Sequence, residues 1–462
     1  MVEQKRRWLT RDRAFYRMLI ALAIPISLQN LITFAVNFAD NLMVSQLGDT
    51  AVSGVYMGNQ IQTFLQLMLN GVVQTTGILA AQYWGKRDMK TIRGIVSLSM
   101  RVGIVLALVS NLIAAAAAGN LLGLLTDEAA VISVGCEYLI IVAFSFVFYA
   151  IAQIVIAAMR SVENARIGMY ISLIALVTNV CLNYVMIFGK LGCPAMGVRG
   201  AAIATLISRI VECMAAILYA RFCDKKLKLS VSDFVSPLKN SFPAKDFFRC
   251  GLPIVAGEIV WAINTVTQSG ILGHYSEEVI TASSITGNMH TLVYIWVTGL
   301  ASAIGVITGK TVGAGDNEKV KEYARTTQLL FLCVGAFTSC FIFCMRAPFV
   351  SLYAVSEQAA AYAMQFLAVL AVTMLGSCYQ MPCLMGLVKA GGNVSFVFKN
   401  DTIHVFLIVL PLGLLAAHFG AAPWLVFALL KCDQILKCIV AAVVVNRYRW
   451  IRNLTAKTAS EK

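Results

Sequence analysis

Apolar runs of about 20 residues or more recur from residue 18 to residue 446, separated by short polar, basic or glycine-bearing stretches. As helices, runs of that length match the hydrocarbon thickness of a bilayer, and the alternating strands of a membrane β-barrel do not occur. The pattern predicts an all-α polytopic membrane protein with twelve transmembrane helices. They lie near residues 18–43, 52–82, 92–117, 131–158, 165–188 and 198–220, then 247–272, 280–309, 323–345, 358–387, 396–418 and 424–446. The first run is too long for a signal-peptide core and reads as the first span. The stretch 221–246, with Lys225, Lys226, Lys228, Lys239, Lys245, Pro237 and Pro243, interrupts the pattern. It separates a first lobe (1–220) from a second (247–446), and a polar cytoplasmic tail (447–462), frayed at its end, closes the chain.

The two halves repeat. One constant step along the chain carries Pro25 to Pro253, Thr63 to Thr291, Gly71 to Gly299, Gly85 to Gly313 and Asp88 to Asp316. With the step lengthened by a single position, Glu128 meets Glu357 and Asn164 meets Asn393. Matches in Pro, Gly, Asn and acids over so long a stretch do not arise from shared apolar composition. Six spans per repeat is an even number, so the repeats share one orientation, as two parallel-repeat six-helix lobes. Two such lobes with a cleft between them suit a transporter that rocks to expose the cleft to alternate sides.

Polar positions inside the spans are the candidate chemistry. Asn30, Thr33, Asn37, Asp40 and Asn41 fall within roughly one third of the first helix's circumference. A polar face with a carboxylate cannot lie cheaply against acyl chains and must face helices or water. The seventh span carries Glu258, Trp261, Thr265, Gln268 and Ser269 at the corresponding positions. Asp40 and Glu258 are therefore candidates for ion or substrate handling, the alternative being acids that only lock helices together. Asn179 and Asn183 share a helix face, and with Thr205 they map to the depth of Asp40, so that one carboxylate plus amide and hydroxyl oxygens could coordinate a small hard cation or solvate a proton. The small residues of 197–204 suit close helix packing. Pro25 and Pro253 each remove a helical hydrogen bond, giving a hinge or a fixed kink. Asp401 with His404, Asp433 with Lys437, and Arg209 with Glu212 have spacings that suit mutual neutralisation. The latter two are favoured as structural pairs, Asp401 and His404 remain open, and His290 reads as a core histidine.

Composition and charge narrow the class. Apolar residues make up 59% and charged residues 13%, far below the quarter usual in soluble domains. The net charge of +14 is not a nucleic-acid footprint: of 37 Lys and Arg, only Lys190, Arg199 and Arg346 fall in loops opposite the side that carries both termini. That asymmetry places both termini in the cytoplasm, with a short basic amphipathic segment at 1–17 on the inner leaflet. Thirteen scattered Cys form no CxxC pair and read as reduced packing residues. There is no P-loop, GxSxG or HExxH, which argues against an ATP-driven pump or an enzyme.

The stretch 39–48, Ala-Asp-Asn-Leu-Met-Val-Ser-Gln-Leu-Gly, resembles the first-span signature of the multidrug and toxic compound extrusion (MATE) transporters. So do 82–88, Gln-Tyr-Trp-Gly-Lys-Arg-Asp, the Asn179–Asn183 pair followed by 197–205, Pro253 with Glu258 and Trp261, and the Firmicutes-type ending at 450–455. The resemblance implies a V-shaped fold and efflux of amphipathic, often cationic, organic compounds in exchange for H+ or Na+. It gives Asp40 the ion-coupling role with Asn179, Asn183 and Thr205 around it, and Glu258 a role in cation or substrate binding. Some members carry a second carboxylate where this chain has Asn183; its loss here lowers the negative charge of the site and leaves the coupling ion open. The expected protein is thus a monomeric antiporter of the cytoplasmic membrane, with no cofactor beyond its coupling cation and no nucleic-acid partner. The competing reading is a flippase for lipid-linked saccharides or related amphiphiles, which would need a cationic binding surface, with Arg101, Arg209 and Lys431 as its candidates.

Overall fold

In a computed structural model, residues 9–224, 226–228, 244–353 and 355–455 are described, and they are helical with short connections. The first half contains α1 (Arg13–Val44), α2 (Asp49–Gly85), α3 (Met89–Gly123), α4 (Ala129–Ala143), α5 (Ser145–Ser161), α6 (Ala165–Phe188) and α7 (Gly197–Leu218). The second contains α8 (Ala244–Gly273), α9 (Glu277–Gly313), α10 (Asn317–Val350), α11 (Glu357–Met381), α12 (Val394–Ile403), α13 (Leu410–His418), α14 (Pro423–Leu430) and α15 (Asp433–Arg447). Wider π-helical turns extend α7 through Tyr219–Cys223 and α11 through Pro382–Lys389, and join α12 to α13 through His404–Val409. Most of the basic linker, including Lys225, Lys239, Pro237 and Pro243, lies outside the described residues, as do the first eight residues and the end of the tail.

The repeat is built into the helix ends. Helices α2 and α9 each span 37 residues. Their first residues, Asp49 and Glu277, and their last, Gly85 and Gly313, are related by the same step that relates Pro25 to Pro253. Asp88 and Asp316, the matched acids, are N-caps: each side chain accepts from a backbone N–H three residues on, at 3.1 Å from Thr91 and 3.2 Å from Lys319. The sequence motif at these positions therefore has a local structural cause.

Ten helices are long and apolar enough to cross a membrane, and α4 with α5, bent by 47° at Phe144, forms an eleventh among the described residues. The predicted twelfth span differs. It is divided into α14 and α15 at Lys431–Cys432, and each piece is shorter than a bilayer crossing. Instead of the α-helical bond back to Leu430, the Gln434 N–H reaches Lys431 O at 3.2 Å. The released Leu430 carbonyl accepts from Gln268 Nε2 at 3.1 Å. A cluster of Lys431, Asp433 and Lys437 within two turns carries the polar partners that such an opening needs.

Packing divides the chain into two compact units: Leu28–Val255, and Met1–Ser27 with Ala256–Lys462. The boundaries fall inside α1 and α8, just after Pro25 and Pro253, rather than in the linker. Glycines allow the close approaches this requires, one within each unit. A Cβ on Gly71 would stand 3.0 Å from the Val255 Cα, and one on Gly299 would meet the backbone of Ser27, the repeat-related counterpart of Val255. In the second unit the chain start is clipped to α10. The Thr10 N–H donates to Thr326 at 2.9 Å, and the Tyr323 hydroxyl donates to Asp12 at 2.6 Å, holding that carboxyl below its usual value. Arg13 and Arg17 lie in the first turns of α1 itself, continuous with the span.

The near part of the tail is docked. Trp450 is fully buried against Gly391, its indole N–H donates to Val445 O at 3.0 Å, and the Arg452 N–H donates to Gly391 O at 2.8 Å. Trp450→Phe is expected to lower stability by about 1–2 kcal/mol through lost ring volume and the lost indole hydrogen bond, the Val445 carbonyl keeping the Tyr448 N–H as its donor at 3.3 Å. Thermal unfolding in detergent, with limited proteolysis of the tail, checks this.

Candidate functional site

Of the predicted stripe on α1, one residue turns inward. Asp40 is 9% exposed, whereas its stripe neighbours Asn30, Thr33, Asn37 and Asn41 are each more accessible than it is. Asp40 lies at the stripe's edge, on the side where α6 packs in the Leu28–Val255 unit. There the Asn183 amide donates both to the Asp40 carboxylate and to Asn179 Oδ1, the latter at 3.2 Å. The Asn179 amide also faces the carboxylate. Both asparagines are completely buried, and among the described residues the Asn183 Oδ1 atom has no hydrogen-bond donor and the Asn179 Nδ2 atom no acceptor. Thr205, predicted to join them, is buried nearby with its hydroxyl on Ala201 O at 3.0 Å.

Around this core is a polar layer that sequence reasoning missed in part. Tyr138 of α4 faces Asp40 and Thr205 and donates to Asn59 of α2 at 3.0 Å. The predicted pair forms: Arg209 Nη1 is 2.7 Å from Glu212 Oε2, with Gln153 Nε2 donating to Glu212 at 3.2 Å and the guanidinium 5.3 Å from the Tyr149 ring. Asn59, Tyr138, Tyr149 and Gln153 are polar positions in apolar runs, and that was the only signal available for them.

The donor set at Asp40 is one carboxylate with amide oxygens close by and a hydroxyl on the neighbouring helix. A buried acceptor with no donor is rare, because its desolvation is not repaid. The Asn183 oxygen therefore fits a proton-bearing or cationic partner beside Asp40, and oxygen donors suit a hard cation.

The second unit does not gather its candidates in the same way. Glu258 is half-buried, Trp261 is 54% exposed, and the Thr265 hydroxyl donates to Trp261 O at 3.0 Å. Gln268, 8% exposed, is tied elsewhere: besides Leu430 O it donates to Asn264 at 3.0 Å and accepts from Lys431 Nζ at 2.9 Å. The sequence leaves Asp401 open as a partner of His404. Asp401 instead pairs with Lys437 at 2.9 Å, and the His404 ring meets Asn400 O at 2.8 Å. Lys437 also holds Asp433 at 3.0 Å, the pair predicted from spacing. His290 stacks on Tyr294 at 4.8 Å. Pro25 is buried and Pro253 half-buried, each inside an unbroken helix.

Comparisons with known proteins give a consistent picture. A "Probable multidrug resistance protein NorM" from Halalkalibacterium halodurans is 26% identical over 410 residues, covering 87% of this chain and 88% of that one. The structure resembles the Vibrio cholerae MATE transporter VcmN in the bent form with a TM-score of 0.84 at 16% identity, covering 94% of this chain and 97% of that one. It also resembles a MOP superfamily transporter from Pyrococcus furiosus with a TM-score of 0.83 at 18% identity, covering 95% and 98%. The MatE family model matches twice, at residues 25–185 and 253–415, so its two copies begin at Pro25 and Pro253, the very pair that the internal repeat aligns. With more than half of its length matched in two tandem copies, the chain belongs to the MatE family.

Proposed function

We propose that this chain is a secondary active antiporter that exports amphipathic, cationic organic compounds across the cytoplasmic membrane in exchange for H+ or Na+. Membership of a family of multidrug transporters makes it a transporter, not an enzyme, and a multi-pass membrane protein. The observation that carries the finer reading is the burial of Asp40 against two asparagines, one of which keeps an acceptor oxygen without a donor among the described residues. A carboxylate held in this way can take up a cation on one side of the membrane and release it on the other. Asp40 is the coupling group, with Asn179, Asn183 and Thr205 as its surroundings. Glu258, flanked on α8 by the exposed Trp261, receives the organic cation through charge and ring contact. Pro25 and Pro253 lie where α1 and α8 pass from one compact unit to the other, which suits hinges in an alternating-access cycle.

Two of the embedded cations that the flippase reading requires are engaged. Arg209 is paired with Glu212, and Lys431 donates to Gln268, which weighs against a cationic surface for a lipid pyrophosphate.

Proteoliposomes with an imposed pH gradient or Na+ gradient, and a fluorescent lipophilic cation as substrate, test the proposal. One gradient is expected to drive uptake and the other not, which names the coupling ion. Glu258→Gln is expected to weaken substrate binding by about tenfold, the effect of one cation–carboxylate interaction of about 1.4 kcal/mol, while coupling remains. Absence of transport under both gradients for several cations would overturn the antiporter reading.

A further inference from the structure

Beyond Asn164 and Asn393, once the step is taken back by one position to the length that carries Pro25 to Pro253, polar positions of α7 fall on polar positions of α15. Thr205 corresponds to Asp433, Arg209 to Lys437, Glu212 to Val440, and on α1 and α8 Asp40 corresponds to Gln268. The two sets use their cations differently. In the first unit Arg209 is neutralised by Glu212 one turn on, and Asp40 has amide partners but no ion pair among the described residues. Two carboxylates against one guanidinium leave this group with room for one further positive charge. In the second unit the position one turn after the cation is Val440, so Lys437 has no acid at the place that Glu212 holds beside Arg209. It sits 2.9 Å from Asp401 and 3.0 Å from Asp433, and Lys431 supplies a second positive charge, on Gln268, at the position of Asp40. Asp433 and Lys437 are 3% and 7% exposed. Two carboxylates against two ammonium groups leave no room for an added cation.

We propose that Lys437 is a tethered cation: it occupies, at Asp401 and Asp433, the place that an exchangeable cation takes at Asp40, and so keeps this carboxylate pair out of coupling. The inference rests on the reading of Asp40 as the coupling group. The ammonium replaces a mobile ion with one that cannot leave, and it fixes the number of coupling cations per cycle. The neighbouring groups add no competing charge to this balance: Tyr294 of α9 faces all three residues with a phenol, and the His404 ring is turned to the Asn400 carbonyl.

The experiment counts cations on purified protein. Binding of radioactive Na+ is measured directly, and proton uptake is measured by titration between about pH 5 and 8, a window in which ordinary lysines stay charged. Lys437→Ala is expected to bind one more cation per chain than wild type, as Na+ or as H+. Its melting temperature should rise with added Na+ or with acid by several degrees more than that of wild type, a response that a merely structural lysine would not produce. Val440→Glu keeps the lysine but supplies the acid found at Glu212, and it should produce the same gain by drawing Lys437 away from Asp401 and Asp433. An unchanged cation count in both variants overturns the proposal. So does a failure of both to fold even in Na+ or at acid pH, since cation rescue is what the proposal requires. Asp40→Asn run alongside separates the two readings: it should bind one cation fewer, and an unchanged count there overturns the coupling role of Asp40 while the Lys437 comparison still stands by itself.

Discussion

Asp40→Asn is expected to reduce gradient-driven transport to the background of empty vesicles, a loss of about 100-fold or more, while the protein remains folded. The substitution is isosteric, and its carbonyl oxygen can still accept from the Asn183 amide that now reaches the carboxylate. What it removes is the charge. No other carboxylate of this polar layer can substitute for it: Glu212 is committed to Arg209 at 2.7 Å and to Gln153 at 3.2 Å. Substrate binding measured without a gradient should survive, because the proposed substrate contacts, Glu258 and Trp261, lie in the second unit. Gradient-driven uptake retained at more than a tenth of wild type would show that coupling lies elsewhere, and Glu258 would then be the group to examine.

Gly200→Val is expected to abolish folded protein, at a cost of about 3 kcal/mol or more, seen as loss of the monodisperse peak in size-exclusion chromatography. A Cβ on Gly200 would stand 2.6 Å from the Met186 carbonyl oxygen, 2.7 Å from its carbon and 3.1 Å from the Ile187 nitrogen. These are backbone atoms of α6, and the same carbonyl already accepts from the Met196 N–H at 2.9 Å, so neither side can yield without moving a helix. The helix that would move carries Asn179 and Asn183, so any protein that does fold should also lose coupling. Gly197 makes a control three residues away. Its φ of +54° carries some strain for a side chain, but the nearest atom to its Cβ is Leu47 Cδ1 at 3.7 Å, so Gly197→Ala should cost only about 1–2 kcal/mol. Equal losses at the two glycines would refute the close-approach argument.

Much of the fold was legible because it rests on local or periodic causes. A span needs a run of apolar residues of sufficient length, and a repeat needs only a nearly constant offset. The inner set of the site was legible for a similar reason. Asn179 and Asn183 are one turn apart, and polar groups at matching depth in an apolar medium seek one another. Helical spacing gives the angle of a residue around its own axis, but not what packs there. It placed Thr33, Asn37 and Asp40 on one face, yet of these only Asp40 is buried, with the Asn183 amide of α6 on its carboxylate. It found Asp433 and Lys437 one turn apart but could not show that Asp401, on another helix, shares the same ammonium.

The sequence by itself determined that this is a membrane protein of two repeated halves and which polar residues are costly enough in lipid to need a reason. Only the tertiary structure decided that α1 and α8 pass between compact units beside their prolines, that the last span opens at Lys431 with Gln268 on its freed carbonyl, and that Trp450 docks the tail. Each of those outcomes depends on a partner far away in the chain, supplied by close packing of surfaces whose complementarity no single stretch of sequence encodes.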